Sequence, residues 1–486
     1  MPVSASPESV PSESALPESV DVLIVGAGPT GLALALDLAR RGVRALLVER
    51  AAELFPGSRG KGLQPRTLEV LDDLGVLAGV RAVAGHYPAN LFWKDGEPQG
   101  ERRMYDPTEP SEAEPYTETL MLPQWRTQRV LYGRLRELGG DVAFGRELVG
   151  LAQDADGVTA AFASGGPVRA RWTVAADGGR STVRRLLGIG MAGEDIDPAT
   201  MLVADVRLAD GALDRDHWHV FPAGEDLLAL CPLAGTDDFQ LVARFPEGTA
   251  VDATLEGIRK VVAARSHLAA GHVVDVRWAS EFRPRTGLAD RFRDGRALLA
   301  GDSAHVHSPA GAQGLNTSIQ DAYNLAWKLA AVLSGAAPEA LLDTYEEERR
   351  ANAAEMLDLS TRVHRGEVRR GRATQQLGLG YRESTLSEDT RAGLPADALR
   401  AGDRAPDGRR GGVRLFDAFR GPHWTLLAVG TDADLPDLGV PAVRIPPYKA
   451  YGDGVFLIRP DGYVGWAGTT ADGLESYAAR HGVRGA

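Results

Sequence analysis

The chain has 486 residues, of which 44% are hydrophobic and 25% are charged, and its formal net charge at pH 7 is −12. This length exceeds what one compact core accommodates, so we expect two or three domains. The acidic balance argues against a nucleic-acid partner, and no apolar run is long enough to cross a membrane, so we expect neither kind of partner.

The first twenty residues, MPVSASPESVPSESALPESV, contain neither the basic nor the apolar region of a signal peptide. Their Pro, Ser and Glu content predicts a disordered tail over residues 1–20. The single cysteine, Cys231, excludes an internal disulfide framework and is expected to pack in a strand. These features together favour a cytoplasmic protein.

The segment VDVLIVGAGPTGLALALDLARRGVRALLVER predicts a strand, a glycine turn, a helix and a second strand that ends in Glu49. Gly26 permits the tight turn, Gly28 lets a pyrophosphate approach the backbone, and Gly31 lets the helix pack against the strand. The N–H groups at the start of the helix favour the phosphates. Glu49 is placed to accept hydrogen bonds from a ribose and would repel a 2′-phosphate, so this site should hold FAD or NAD rather than NADP.

A second glycine pattern, formed by Gly188, Gly190 and Gly193, lacks this context. A helical segment precedes it and EDIDPA follows, which is a poor start for an anion-binding helix. We therefore predict one dinucleotide fold in the chain and not two.

Two later segments repeat the arrangement of a strand followed by an acidic turn. In TVAADGGRSTVRRLLG the acid is Asp177, which by itself is equally explained as a turn residue next to a helix cap at Ser181. In LLAGDSAHVHSPAGAQGLN the acid is Asp302, at the carboxyl end of a strand, where open α/β sheets bind ligands. The glycine-rich stretch after it leads into a helix whose N-terminus stabilises negative charge, such as that of a reduced flavin.

His305 and His307 raise the question of a metal site. We predict none, because no third cluster of ligands is visible in the sequence. The two histidines are expected to support the loop in which they lie.

Together, the three glycine- and aspartate-containing segments resemble the class A flavoprotein aromatic hydroxylases. SRGKGLQPRTLEVLDDLGV, LPQWRTQRVLYGRL and LLDTYEEERR resemble further signatures of that family, and the resemblance extends over residues 21–486. It is greatest for the branch that hydroxylates phenols and polycyclic aromatic polyketides and carries a C-terminal thioredoxin-like domain. The corresponding segment here contains no cysteine, so thiol–disulfide chemistry is excluded.

The resemblance implies an α/β fold with a Rossmann-type (GR2-like) FAD-binding domain interleaved with a mixed β-sheet substrate domain. The expected boundaries are 21–80, 120–195 and 286–340 for the FAD-binding domain, 81–119 and 196–285 for the substrate domain, 341–395 for a helical linker, and 396–486 for the thioredoxin-like domain. Within the linker, the basic stretch RVHRGEVRRGR is expected to be a helix end or a solvated face.

The resemblance also implies which residues hold the cofactor. The expected FAD-binding residues are Gly26, Gly28, Pro29, Thr30 and Gly31 at the pyrophosphate, Glu49 and Arg50 at the adenosine ribose, Leu148 near the adenine, Arg59, Gln124, Asp177 and Asp302 along the chain, and Pro309, Gly314, Leu315 and Asn316 at the isoalloxazine. Gln128 stands where the family often has a glutamate, so no carboxylate role is carried over to it.

In such enzymes FAD takes a hydride from NADPH or NADH and reacts with O₂, and a C4a-hydroperoxide then hydroxylates an aromatic carbon. We expect an aromatic substrate of the phenolic or polyketide type and a monomer or homodimer, and we assign no catalytic acid or base. Five residues of the middle segment could line an aromatic pocket, although each is equally explained by sheet packing: His217, Trp218, His219, Phe221 and Arg283.

Three alternatives stay open at this point. Baeyer–Villiger oxygen insertion uses the same scaffold, and nothing in the sequence separates it from hydroxylation. A FAD-holding protein of a biosynthetic complex would lack the activity altogether, and an NAD dehydrogenase would not need the Asp302 loop. A flavin halogenase is disfavoured, since the W-x-W-x-I-P signature does not occur.

Overall fold

The computed structural model describes residues 16–105, 107–222, 226–308 and 312–484. No described helix combines the length and the apolar character needed to cross a membrane. The described α-helices, in chain order, are α1 (Pro29–Arg40), α2 (Pro65–Asp73), α3 (Leu77–Arg81), α4 (Gln124–Glu137), α5 (Thr182–Leu186), α6 (Leu255–Arg265), α7 (Gly314–Leu333), α8 (Asp343–His364), α9 (Leu415–Phe419) and α10 (Leu474–His481).

The strands range from two to ten residues. In chain order they are β1 (Ser19–Val25), β2 (Ala45–Val48), β3 (Gly62–Leu63), β4 (Ala89–Lys94), β5 (Glu97–Arg102), β6 (Leu120–Met121), β7 (Val142–Ala143), β8 (Leu148–Gln153), β9 (Val158–Phe162), β10 (Val168–Ala175), β11 (Met191–Ala192), β12 (Thr200–Leu208), β13 (His217–Phe221), β14 (Leu228–Pro232), β15 (Asp238–Phe245), β16 (Val273–Phe282), β17 (Gly287–Ala289), β18 (Arg293–Asp294), β19 (Ala297–Leu299), β20 (His305–Val306), β21 (Glu388–Asp389), β22 (Arg409–Arg410), β23 (Val413–Arg414), β24 (Thr425–Val429), β25 (Ala442–Ile445), β26 (Gly454–Ile458) and β27 (Val464–Gly468).

The first sheet has the order β18-β19-β10-β1-β2-β7, and β8 and β9 extend it beside β10. Its central pairs β19/β10, β10/β1, β1/β2 and β2/β7 are parallel, so the carboxyl ends of β1, β10 and β19 meet at one edge. Val22, Leu23 and Ile24 are fully buried, as expected for a parallel strand covered on both faces. β1 begins at Ser19, inside the segment expected to be a disordered tail, and residues 1–15 of that prediction lie outside the described residues.

The second sheet has the order β16-β12-β15-β14-β13-β4-β5. Side chains alternate between its two sides because the period of a strand is two. One side packs against α6 through a core that includes Leu202, Leu241 and Ile258. The other side contains the intervening residues of the same strands, among them Asp205 and Gln240, and it is turned toward the segment that precedes α2.

The third sheet has the order β21-β27-β26-β24-β25 and packs with α10 around Trp424, Trp466 and Tyr477. β21 pairs with β27 although it lies within residues 341–395, so the last part of the expected linker belongs to this C-terminal sheet.

A buried ionic network joins the C-terminal sheet to α7 and α8. The carboxylate of Glu348 accepts hydrogen bonds from Lys328 at 2.7 Å and from Arg459 at 2.6 and 2.8 Å, and Arg459 also pairs with Asp461. All four side chains are almost completely buried. Removing one partner would leave an uncompensated buried charge, so this network fixes the relative position of the C-terminal sheet and the two helices.

Candidate active site

The turn between β1 and α1 has the geometry of a phosphate-binding loop. Gly26 has φ +105°, and a Cβ there would lie 2.4 Å from the carbonyl oxygen of Ala176. A Cβ on Gly31 would lie 1.9 Å from the carbonyl oxygen of Gly26, so the helix can pack this closely only with glycine. A Cβ on Gly28 would meet no atom within 4 Å, which leaves room for a ligand at the N-terminus of α1, where Pro29 begins the helix.

Glu49 holds this turn from the end of β2. One carboxylate oxygen accepts the N–H of Ala27 at 2.9 Å and the other accepts the N–H of Ala51 at 3.0 Å. Each oxygen keeps a second lone pair, so these bonds leave capacity for a ribose hydroxyl. Arg50, the next residue, is exposed.

Gly301 and Asp302 follow β19 at the same edge of the sheet. Gly301 has φ +65°, and a Cβ there would lie 2.5 Å from Oγ1 of Thr30, so this loop touches the start of α1. The Asp302 side chain is solvent-accessible within a recess that protein atoms surround. Desolvation in the recess raises the pKa of Asp302, and the nearby positive charges of His305 and Arg59 oppose this effect.

Asp321 of α7 positions the Asp302 loop from behind. Its Oδ2 accepts the N–H of Gly301 at 2.9 Å and contacts Nε2 of His305 at 2.6 Å, and its Oδ1 accepts from Nε of Arg349 at 2.7 Å. His307 hydrogen-bonds to His305 at 3.1 Å, and burial holds the pKa of His307 well below its usual value. The two histidines therefore contact the loop scaffold, and within the described chain no three His, Cys, Asp or Glu side chains cluster as a metal site.

Asp177 caps the N-terminus of α5, as expected if it is a turn residue next to the helix cap. Its Oδ2 accepts the N–H groups of Thr182 at 2.7 Å and Val183 at 3.1 Å. Its Oδ1 is buried and has no hydrogen-bond partner in the structure, which is unusual for a carboxylate oxygen. Arg184 of α5 donates to the carbonyl oxygen of Ser303 at 2.9 Å, so the Asp177 and Asp302 segments are directly connected.

Asn316, in the first turn of α7, is completely buried and fully engaged with protein. Its Oδ1 accepts the N–H of Gln64 at 2.8 Å, and its Nδ2 donates to the carbonyl oxygens of Gly62 at 2.8 Å and Ala312 at 2.7 Å. The side chain therefore ties β3 to the start of α7, and its contact with a bound flavin stays a prediction.

The other residues expected at the isoalloxazine lie at the start of α7. Leu315 is half-buried beside Gly60, and Gly314 lies against His307. Pro309 lies outside the described residues.

Gln124 begins α4 and faces the loop before β3. Its Oε1 accepts the N–H of Gly60 at 3.2 Å, and its Nε2 donates to Gln128 at 3.1 Å, which in turn donates to the carbonyl oxygen of Phe55 at 3.3 Å. Gln128 therefore connects Gln124 to this loop through two amide hydrogen bonds, and the connection does not need a carboxylate. Leu148 is buried at the start of β8.

The residues proposed for an aromatic pocket separate onto the two sides of the second sheet. His219 accepts from the indole of Trp93 at 3.1 Å, and Phe221 stacks on Trp93 at 5.9 Å, on the side that packs against α6. Trp218 directly precedes His219 in β13 and therefore points to the opposite side. His217 pairs with the partly exposed Asp214 at 2.8 Å, and Arg283 is exposed, so among the five only Trp218 faces the segment before α2.

Sequence reasoning missed a group of polar residues on the same side as Trp218. Lys61 donates to Gln240, and its Nζ lies 4.0 Å from the ring centroid of Trp218. Tyr87 accepts from Arg370 of the basic stretch at 2.6 Å. The period-two pattern of the strands could have indicated which residues share this side, but it could not indicate that Lys61 reaches them.

Asp205 is the unusual member of this group. The side chain is completely buried, and neither carboxylate oxygen has a hydrogen-bond partner in the structure. Desolvation raises its pKa from 3.8 to about 6, although the nearby Ser58 hydroxyl and the charge of Lys61 oppose the rise. Desolvation also lowers the pKa of Lys61. An unpaired buried charge costs stability, so its presence indicates a functional constraint.

The geometry fits FAD at the parallel edge of the first sheet. The room beside Gly28 suits a pyrophosphate, Glu49 has acceptor capacity for a ribose, and the recess at Asp302 offers an acceptor for a polyol chain. Asp177, with its unpartnered Oδ1, follows the end of β10 at the same edge of the sheet. Fold and site together define a dinucleotide-binding oxidoreductase with a separate sheet next to its cofactor site.

Comparisons with known proteins agree with this class. Residues 19–360 match the model of the FAD binding domain family. A flavin-dependent monooxygenase of Mycobacteroides abscessus is 44% identical over 94% of this chain and 99% of the relative. A Streptomyces rimosus enzyme, 12-dehydrotetracycline 5-monooxygenase/anhydrotetracycline 6-monooxygenase, is 36% identical over 93% of this chain and 97% of its own. The structure of aklavinone-11 hydroxylase in a ternary complex with FAD and aklavinone superposes with a TM-score of 0.79 at 30% identity, covering 95% of this chain and 98% of that one.

The chain therefore belongs to the FAD binding domain family and is a FAD-dependent monooxygenase of the aromatic-hydroxylase class. The predictions of a FAD cofactor, a monooxygenase activity and a mixed α/β fold are confirmed. The alternatives of an NAD dehydrogenase and of a cofactor-holding protein without activity are correspondingly disfavoured.

Proposed function

We propose that this monooxygenase hydroxylates a flat, polycyclic phenol, with NADPH or NADH as the reductant. The observation that carries the proposal is the composition of the side of the second sheet that faces the loop before β3. Apolar side chains there remain half-exposed, among them Phe92, Trp218, Val220 and Val242, beside the polar side chain of Lys61. An apolar wall with a few polar groups suits an aromatic ring system that carries hydroxyl groups.

The names of the relatives support this substrate class. One acts on anhydrotetracycline, and another was solved with aklavinone, both of which are polycyclic aromatic compounds. The substrate of this chain would share that chemistry while differing in its substituents.

Bound FAD supplies hydride acceptance from a nicotinamide and activation of O₂. In the proposed arrangement the residues of the β1–α1 turn bind the pyrophosphate, and Glu49 and Arg50 bind the ribose. Leu148 lies beside the adenine, and Gln124 and Asp302 bind the ribityl chain. Arg59 and Asp177 flank this chain, Gly314 and Leu315 approach the ring system, and Asn316 positions the backbone that carries them. The N-terminus of α7 lies at the start of this last group, where its dipole stabilises negative charge. Pro309 lies outside the described residues, and its role stays a prediction.

Lys61 and Asp205 form the polar floor of the proposed pocket. Because burial lowers the pKa of Lys61, its neutral amine is placed to accept the proton of a bound phenol, and the ammonium group that forms then pairs with the phenolate oxygen. Lys61→Met should therefore weaken turnover most at the pH values where the free phenol is protonated. The measurement is a pH profile of kcat and of KM for wild type and for Lys61→Arg, which retains the charge; parallel profiles for Lys61→Met and wild type would remove Lys61 from this role.

The finer architecture is part of the proposal. We infer a Rossmann-type (GR2-like) FAD domain over 21–80, 120–195 and 286–340, a substrate domain over 81–119 and 196–285, and a thioredoxin-like unit after residue 395. The parallel β1/β2/β10 order and the mixed sheet of β24–β27 support these assignments. The protein would act in the cytoplasm as a monomer or homodimer.

The test is a spectrum of the purified holoenzyme without O₂, recorded during reduction by NADPH with and without a panel of polycyclic phenols, followed by product analysis after O₂ is admitted. We expect faster bleaching of the flavin with one class of phenol and a product with one added hydroxyl group. A lactone or ester product would instead show Baeyer–Villiger chemistry. A flavin that NADPH and NADH both fail to bleach, with every phenol, would overturn the proposal.

A further inference from the structure

A cleft of about 320 Å³ lies outside the cofactor site, between the start of α4, the turn joining β14 to β15, and β16. Its lining includes Trp125, Arg126, Arg277 and Thr236, together with Asp237, whose carboxylate pairs with Arg207 at 3.4 Å. Trp125 directly follows Gln124, which bonds to the loop at Gly60, so the cleft adjoins the cofactor site without being part of it.

Three guanidinium groups surround the ring of Trp125. Their central carbons lie 5.0 Å (Arg126), 4.6 Å (Arg129) and 5.4 Å (Arg277) from the ring centroid. Arg277 is fixed by the buried carboxylate of Asp238 at 2.9 Å. In the described parts of the chain, neither Arg126 nor Arg129 forms an ion pair with an acidic residue, so the cleft has a local excess of positive charge.

The position of Arg126 and Arg129 in α4 adds to this excess. Both lie in the first two turns of the helix, where the helix dipole is positive, and no acidic residue is present in the first turn. Desolvation and the repulsion of Arg129 and Arg277 lower the pKa of Arg126. An anion in the cleft would offset this repulsion and would satisfy the helix N-terminus.

An unpartnered donor also lines the cleft. The indole of Trp125 is only 8% exposed, and its Nε1–H has no hydrogen-bond partner in the structure. The Nε–H of Arg126 likewise has none. Because buried donors nearly always find an acceptor, two such donors at one cationic cleft indicate a ligand that supplies acceptor oxygens.

A cationic and aromatic path leads from the cleft to the cofactor site. Trp278, next to Arg277, contacts Phe55 at 5.2 Å, and Arg59 lies over the rings of Phe55 and Trp278 at 5.3 and 5.7 Å. Arg59 in turn interacts with Asp302. A molecule that carries phosphates and planar rings matches such a path.

We propose that this cleft binds the phosphates of the nicotinamide dinucleotide while its nicotinamide reaches the flavin past Arg59. The inference rests on the proposed function, because it requires the enzyme to use NADPH or NADH. Arg126 and Arg277, which line the cleft, contact the phosphate oxygens, Arg129 adds positive charge beside Trp125, and the indole of Trp125 donates to one of these oxygens.

The test compares Arg126→Ala, Arg129→Ala and the double variant with Arg136→Ala as a matched control. Arg136 lies on the same helix but is exposed and faces Asp141 at 3.5 Å, away from the cleft. We expect the dissociation constants of NADP⁺ and of inorganic pyrophosphate, measured by calorimetry on the FAD-loaded protein, to rise about tenfold for each arginine removed from the cleft. The FAD content and the values for Arg136→Ala should stay at the wild-type level.

Anaerobic reduction of the flavin provides the second readout. The KM for NADPH should rise in the cleft variants while the rate of reduction at saturating NADPH stays unchanged. If the KM for NADH rises as much as the KM for NADPH, the cleft binds the diphosphate that both share. If only the KM for NADPH rises, the cleft binds the 2′-phosphate. Binding and KM values that match wild type in the double variant would overturn the inference even if the enzyme turns over. Binding that depends on both arginines in a protein that NADPH never reduces would overturn the proposed function and keep the site.

Discussion

Replacing Asp205 with asparagine should stabilise this protein at alkaline pH. The carboxyl group is completely buried, its oxygens lack a well-formed hydrogen bond to any described residue, and burial raises its pKa from 3.8 to about 6 although the nearby Ser58 hydroxyl opposes the rise. A rise of this size corresponds to about 3 kcal/mol of unfavourable ionisation in the folded state. Between these two pH values the folded chain binds the proton more tightly than the unfolded chain does, so the free energy of unfolding falls as the pH rises. Asparagine cannot ionise and avoids that loss.

The gain should be smaller than the full ionisation term, because the donor and acceptor groups of the new amide need partners of their own; the attraction of Lys61 already contributes to the pKa of about 6. With a cost of about 1 kcal/mol for the amide, we expect Asp205→Asn to be more stable by about 1–3 kcal/mol at pH 8. The pH-dependent gain should be almost absent below about pH 3, where the unfolded and the folded carboxyl groups are both protonated and only the cost of the amide remains.

The assay is thermal unfolding of the FAD-loaded protein from pH 4 to pH 8, where 1 kcal/mol shifts the Tm of a domain of 150–250 residues by about 2–4 °C. Asp238→Asn is the matched control on the neighbouring strand β15. Its buried carboxylate accepts from Arg207 at 3.1 Å and Arg277 at 2.9 Å, so its removal should destabilise the protein at the same pH. An Asp205→Asn protein that is no more stable than wild type at pH 8, or a gain that is equal at all pH values, would refute the reasoning.

Three further predictions concern the cofactor site. Gly28→Ala should fold normally and lose FAD affinity, because the added Cβ enters the space beside α1. Gly31→Ala should not fold stably, because the added Cβ would clash with the carbonyl oxygen of Gly26. Visible absorbance reports the FAD loss, and thermal unfolding reports the loss of stability. Asp302→Ala should lower the FAD occupancy of the purified protein without lowering its Tm in the absence of FAD, and a variant with full flavin would contradict the assigned contact. Asp321→Asn removes the charge that pairs with His305 and Arg349, so we expect a loss of about 3–5 kcal/mol in the free energy of unfolding, measured by urea denaturation. A loss below about 1 kcal/mol would show that the histidine and arginine find other partners.

The sequence by itself determined the local chemistry of the cofactor site. Gly26 and Gly31 are required by a positive φ and by a helix that approaches within contact distance, and both requirements arise within about thirty residues of chain. The strand-turn-acid pattern likewise located Asp302 at the end of a strand. Local geometry of this kind depends on the backbone of neighbouring residues, so residue type and spacing are sufficient to predict it.

The tertiary structure decided how side chains from distant segments meet. Asn316 bonds to Gln64 across 252 positions, and no local pattern predicted that this side chain joins the two segments. Trp218 and His219 are neighbours in β13 and therefore lie on opposite sides of the second sheet. Only the tertiary structure shows that Lys61 reaches the side of Trp218, whereas the side of His219 packs against α6.

The two least expected features have the same origin. Asp205 is unpaired, and Arg126 and Arg129 converge on Trp125 with Arg277, because packing brings together elements that no local pattern relates. The electrostatic cost of such groupings depends on burial and on distances across the fold. The sequence therefore determined the class of the protein and its cofactor, and the packed structure decided where charge is concentrated around the site.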